Sequence, residues 1–231
     1  MTAQPASAGT RDRPDLDGQM VLLIGEDSAT GRAIEHRARA AGAHVVHPGP
    51  GDVDAGELDH VFDALPQPID HVLVTGRDPY LAPLTEFDFT RAERDVQEHL
   101  WLPIRVARLA VGRVRPGGTL LFVGGSAAGR PGPGLTLTSA LAAARHALIT
   151  GLASEVAPIR VNLIGAGLFV DRPLSARLLG ATLAEHPGDA AATRHVTRVV
   201  RPADVAPLAV HLMCATVTGA TYDVDAGGRI G

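Results

Sequence analysis

Short apolar runs and longer stretches of helical periodicity alternate along the chain. Met20 to Ile24 is an apolar run ending at Gly25, and a helical pattern from Thr30 to Ala41 follows it directly, which reads as strand, tight turn, helix. A second strand, His44 to Val46, is stopped by Pro48, Gly49, Pro50 and Gly51, after which Leu58, Val61, Phe62 and Leu65 recur at helical spacing. Further on, the pattern predicts a buried strand over Ile69 to Thr75, a long helix over Phe89 to Val111 and a strand over Thr119 to Val123. It then predicts a helix over Thr138 to Val156 and strands over Ile159 to Ile164 and Thr221 to Val224. Strands that alternate with helices need crossover connections, so the expectation is a mostly parallel sheet covered on both faces, three layers in one α/β domain. Ligands of such sheets sit beyond the carboxyl ends of the strands, where the strand order reverses. The loops after Ile24, Thr75, Val123 and Ile164 are therefore expected to form the site.

Composition narrows the class. With 231 residues and 45% hydrophobic content the chain fits one domain with a substantial core. The single Cys214 excludes an internal disulfide framework and reads as a structural buried thiol in a cytoplasmic protein. Residues 1–18 are polar and small, without an apolar signal region, and read as a disordered arm ahead of a domain spanning 19–231. The most continuous apolar run, Leu135 to Ala157, contains Arg145, His146 and Glu155, which suits a buried core helix rather than a membrane span. A net charge of -4 with arginines scattered among acids argues against nucleic acid as partner and points to a small molecule. All 21 basic residues are arginine and none is lysine.

Several segments resemble the short-chain dehydrogenase/reductase family, from about Gly18 to the last residue. Glu155-Val156-Ala157-Pro158-Ile159-Arg160-Val161-Asn162 is similar to the family's helix-to-strand junction. Arg201-Pro202-Ala203-Asp204-Val205-Ala206, Val217-Thr218-Gly219 and Val224-Asp225-Ala226-Gly227-Gly228 resemble its closing segment. The resemblance implies a Rossmann-like doubly wound parallel sheet and NADP or NAD as cofactor. The family's TGxxxGxG loop falls on Ile24 to Gly31, with Gly25 and Gly31 kept and Ala29 in place of the middle glycine. Glu26 and Asp27 add carboxylates near a helix N-terminus that otherwise favours phosphate, and Asp27 or Ser28 serves equally as a plain helix cap. Asp52-Val53 resembles the family's adenine-contacting pair, arriving early as if a helix and strand were deleted. The family's NNAG segment falls on Val74 to Arg77, and Arg172 lies where relatives place a threonine beside the nicotinamide. The implied cofactor contacts are Gly25, Ser28, Thr30, Gly31, Asp52, Val53, Thr75, Gly76 and Arg172.

The same alignment puts Thr138 at the family's catalytic tyrosine and Ala142 at its lysine. Tyrosine occurs only at Tyr80 and Tyr222 and lysine nowhere, so no shift restores the pair. Arg145 does not complete a Tyr-x-x-x-Arg variant, because Leu141 stands four residues before it. Ser126, after a buried strand, resembles the carbonyl-binding serine. His99 stands at the family's asparagine and can act as acid or base, although a helix histidine is also commonly structural. Tyr80, on the loop after the Ile69 strand, is a candidate displaced phenol, and Thr138 completes the catalytic set. No histidine cluster reads as a metal site. Residues 172–200 read as a substrate lid, since Leu174, Leu178, Leu179 and Leu183 recur near helical spacing.

These features imply an atypical NAD(P)-dependent oxidoreductase acting on a small, largely apolar carbonyl or alcohol, forming a homodimer or homotetramer as relatives do. Two alternatives stay open: a non-redox enzyme on the same fold, such as a cyclase, dehydratase or isomerase, and a catalytically silent scaffold.

Overall fold

The computed structural model describes residues 15–25, 27–48, 55–77, 79–126, 134–167 and 200–227. Asp52, Val53 and Arg172, the lid before Val200, and residues 1–14 of the expected arm lie outside them. Six strands, β1 (Met20–Ile24), β2 (His44–Val46), β3 (Ile69–Thr75), β4 (Val114–Gly125), β5 (Arg160–Ala166) and β6 (Thr221–Val224), form one sheet in the order β2-β1-β3-β4-β5-β6. Every neighbouring pair is parallel, as the alternation predicts. The chain runs outward from β1 to β2 and then crosses to the other side for β3. The switch point thus lies where Gly25 and Gly76 leave β1 and β3.

Side-chain alternation along each strand divides the core. On β4, Leu121 and Val123 pack with α1 (Ala29–Ala40) and α6 (Pro202–Cys214), through Ile34, Ala38, Val205 and Ala209. Leu120 and Phe122 face the other way, against α2 (Ala55–Ala64), α4 (Leu102–Ala110) and α5 (Thr136–Glu155), through Phe62, Val106 and Ile149. Asn162, fully buried on β5, donates to Val217 O (2.8 Å) and accepts from Ala220 N (3.2 Å), which fixes the entry to β6.

Several expectations need correction. Leu16 is completely buried and Leu16 N donates to Ala41 O, so the supposed arm is docked at least from Asp15 onward. Cys214 is exposed, because it ends α6 with its Sγ near Asp15 O (3.6 Å) instead of facing the core. The segment from Arg201 forms a helix, α6, that the periodicity did not announce; Pro202 opens it, and Asp204 accepts from Arg201 N (2.9 Å). The long helix over Phe89 to Val111 is divided into α3 (Phe89–Val96), a turn of π-helix over Gln97–Trp101, and α4. In that turn Leu102 N reaches back five residues to Gln97 O. Pro103 follows, and it has no amide to offer the carbonyl of His99, so the regular ladder cannot run through this point. No helix among the described residues is long and apolar enough to cross a membrane.

Candidate active site

Two groups of residues meet at the carboxyl edge of the sheet. The first closes the turn between β1 and α1. Gly25 has φ 93°, a left-handed conformation, and a side chain there would collide with Thr75. Thr75 Oγ1 donates to Gly25 O (2.6 Å), which leaves Ser28 to donate to Thr75 Oγ1 (2.9 Å). Ser28 Oγ in turn accepts from Gly31 N (2.8 Å), capping α1. Gly31 packs so close that a methyl group would sit 2.7 Å from Gly25 O. Thr30 is buried beside it. The structure thus brings Gly25, Ser28, Thr30, Gly31 and Thr75 into one cradle at the N-terminus of α1. No acidic residue occupies the first turn of α1. Asp27 is exposed, and Arg32 Nη1 donates to its backbone oxygen (2.6 Å), so a guanidinium stands beside the loop. Free helix amides and an adjacent cation suit the pyrophosphate of a dinucleotide. The residue following β2, His47, is paired with Glu35 (3.1 Å).

The second group lies at the ends of β3 and β4, on the face toward α4 and α5. Val72, Val74 and Gly76 share that face of β3; Leu120, Phe122, Gly124 and Ser126 share that face of β4. Both strands change from apolar to open or polar at the same level. The π turn carries His99 inward against Gly76, where a methyl group would meet its Cε1 at 3.1 Å. His99 is 8% exposed and makes no hydrogen bond among the described residues. Burial, with the charge of Arg145 as a lesser cause, pushes its pKa down to about 4, so the ring is neutral at pH 7. Ser126 is anchored by its amide to Ala166 O (2.9 Å). Thr138, buried, donates to Tyr80 O (3.3 Å) and ties α5 to the loop after β3.

Tyr80 enters this site through its backbone. Its phenol oxygen accepts from Asp88 N (2.7 Å) and donates to Glu86 O (3.3 Å), while Arg91 lies over the ring at 5.1 Å. Those contacts hold it on the outer loop, away from His99 and Ser126. Tyr222 packs against the core on the α1 and α6 face.

Sequence reasoning missed three residues here. Asp95 accepts from Tyr80 N (2.6 Å) and Glu98 from Arg77 N (3.2 Å), and their ligand atoms and that of His99 lie within 4.8 Å of one another. Burial raises the pKa of both carboxyls, with the amide bonds partly opposing it. The third is Arg145. Thr138, Ala142, Arg145, Ile149 and Leu152 form the buried stripe of α5, and that stripe was the signal that could have placed the arginine in the site. Its guanidinium fills the space left by Gly124, where any side chain would overlap it, and Nη2 donates to Gly125 O (2.9 Å). Nε is buried without a partner, and burial lowers the pKa to about 10, which still leaves the group charged.

A family model described as an SDR-like Rossmann domain matches residues 35–226. The short-chain dehydrogenase/reductase malC of Malbranchea aurantiaca is 28% identical over 257 aligned positions, covering 94% of this chain and 97% of that protein. The short-chain dehydrogenase/reductase ATR9 of Stachybotrys chlorohalonatus is 26% identical, covering 93% and 98%. Among solved structures, the MalC reductase/Diels-Alderase superposes with a TM-score of 0.80 at 23% identity over 94% of this chain and 98% of its own. A small-chain dehydrogenase in complex with NADPH does so with 0.78 at 22%, over 93% and 100%.

Proposed function

The chain belongs to the short-chain dehydrogenase/reductase family, and from that premise we propose an atypical NAD(P)-dependent oxidoreductase acting on a carbonyl or alcohol of a small, largely apolar molecule. The observation that carries this reading is that Ser126 follows β4 and neutral His99 packs against Gly76 at the end of β3, beside a cradle suited to pyrophosphate. The NADPH complex of one structural relative and the reductase designation of another support the cofactor. When bound, the nicotinamide would supply or accept the hydride. Ser126 donates a hydrogen bond to the substrate oxygen. His99 delivers its N–H proton to that oxygen as charge develops, and solvent water replaces the proton at its other nitrogen. A neutral shuttle of this kind needs no imidazolium, which the low pKa of His99 disfavours.

Titration with NADPH and NADH, followed by turnover of a panel of ketones and aldehydes, tests the reading. Binding with turnover lost in Ser126→Ala supports it. A second reading, a non-redox enzyme on the same fold, draws on the outward placement of the Tyr80 phenol and on Ala142 at the family's lysine position; turnover without nucleotide would favour it. We further propose that Phe89, Trp101 and Ile104, exposed along α3, the π turn and α4, pair with a second copy. Trp101→Glu should then lower the mass measured by light scattering to that of a monomer.

A further inference from the structure

Arg145 is the only arginine in the buried class among the described residues, at 7% exposure. No carboxylate lies within ion-pair distance of it there. A buried guanidinium ordinarily has a paired anion, because one left uncompensated costs several kcal/mol. Among the described residues only a backbone oxygen compensates it. The chain has also given up a side chain at Gly124 to house the group, at the level where β4 passes from apolar core to site. The neighbouring ring, His99, is itself without a hydrogen-bond partner among the described residues. The carboxylates of Asp95 and Glu98 are directed to the loop amides of Tyr80 and Arg77.

From this we infer that Arg145 is the seat of a substrate carboxylate, and that the substrates are oxo acids or their hydroxy-acid counterparts. The inference rests on the oxidoreductase reading above for the placement of the carbonyl at Ser126. Gly124 and Ser126 share one face of β4 two residues apart, a separation of roughly 6.5 Å along the strand. With a hydrogen bond of about 2.8 Å at each end made at an angle to the strand, adjacent carbonyl and carboxylate oxygens can bridge that separation. The guanidinium fork matches carboxylate and phosphate geometry alike, and its single charge balances that of a carboxylate monoanion. The apolar remainder of the substrate would lie outward, away from the sheet edge.

Benzoylformate, its methyl ester and acetophenone serve as probes, titrated calorimetrically into the whole protein with and without saturating NADPH. The acid should bind about 10- to 100-fold more tightly than the ester, the difference expected of one charge-assisted hydrogen bond. Arg145→Gln should erase that ratio while leaving the affinity for the ester and for NADPH unchanged, and Arg145→Lys should restore part of it. Gly124→Ala, which drives a methyl group into the guanidinium, should reduce the ratio as well. Equal binding of acid and ester, no binding of either, or an undiminished ratio in Arg145→Gln would overturn the inference. Should Arg145→Gln fail to fold, the wild-type ratio and Arg145→Lys decide. NADPH titration reports separately on the redox reading: an acid preference that depends on Arg145, in a protein that does not bind nucleotide, would sink that reading and leave this one standing.

Discussion

The two halves of the cleft treat their polar groups in opposite ways. At the switch point between β1 and β3, the hydroxyls of Thr75 and Ser28 are consumed in a chain that ends on Gly25 O and begins at Gly31 N. At the ends of β3 and β4, Arg145 Nε is buried with no partner, and His99, a buried residue, makes no hydrogen bond among the described residues. Buried polar groups are nearly always hydrogen-bonded, and leaving one unsatisfied costs roughly 1–3 kcal/mol. A hydroxyl satisfied from within serves the frame, whereas His99 and Arg145 are left open at the strand ends where ligands of such sheets sit. The first half shapes a cradle; the second is the half to which we assign the chemistry.

The sharpest way to break this contrast is at Ser126. If its hydroxyl holds the reacting oxygen, Ser126→Ala should lower kcat by about 10²- to 10³-fold, the usual loss when one such donor is removed, with nucleotide affinity unchanged. Full turnover in the variant would place the carbonyl elsewhere and remove the second half's claim to chemistry. A smaller effect is expected at Thr75. Thr75→Val strips the middle link from the hydroxyl chain and should cost about 1–3 kcal/mol in urea unfolding while weakening NADPH binding. The preference for acid over ester should not change. If that preference moved too, the two halves would not be separable in the way described.

How much of this was legible beforehand depended on the kind of signal. Buried parallel strands read directly, since β1, β2, β3 and β6 have the bounds that their apolar runs predict. β4 extends well before Thr119 because its pairing with β3 skips from Ile69 opposite Val114 to His71 opposite Thr119, an irregularity that apolar content does not mark. The π turn was hidden because Pro103 sits inside an otherwise helical pattern, where periodicity alone cannot show which carbonyl is released. Leu16 was a lone apolar residue in a polar stretch, and only tertiary contact reveals its burial. Of the candidate site, Gly25, Gly31 and Ser126 were legible through their place in the loop pattern. Arg145 was not, because the search was for a cation four residues after a phenol, whereas this one lies seven residues after Thr138 and depends on a missing side chain at Gly124, on a different element.

The smallest effect compares two buried histidines. His71 is 1% exposed on β3, with Nε2 donating to Gln19 Oε1 (2.7 Å), and burial followed by the charges of Arg115 and Arg160 lowers its pKa to about 3. His99 falls to about 4 for the same principal reason. Both are below the ordinary value of 6.5, so the unfolded chain binds more protons than the folded one between those limits. Their contribution is intact above pH 6.5 and is lost as pH falls, at up to about 1.4 kcal/mol per pH unit for each ring. Asp95 and Glu98, whose pKa values burial raises, oppose this trend as they take up protons. The frame histidine should respond to pH alone. His99, by contrast, should gain proton affinity when a carboxylate binds at Arg145, which flattens its share of the acid limb. Urea unfolding from pH 4.5 to 7.5 should therefore show a shallower loss of stability in His99→Asn than in the wild type, and benzoylformate should narrow the difference between their slopes. Parallel slopes with and without the ligand would mean that no anion approaches His99, and the contrast between the two halves would then rest on Ser126 alone.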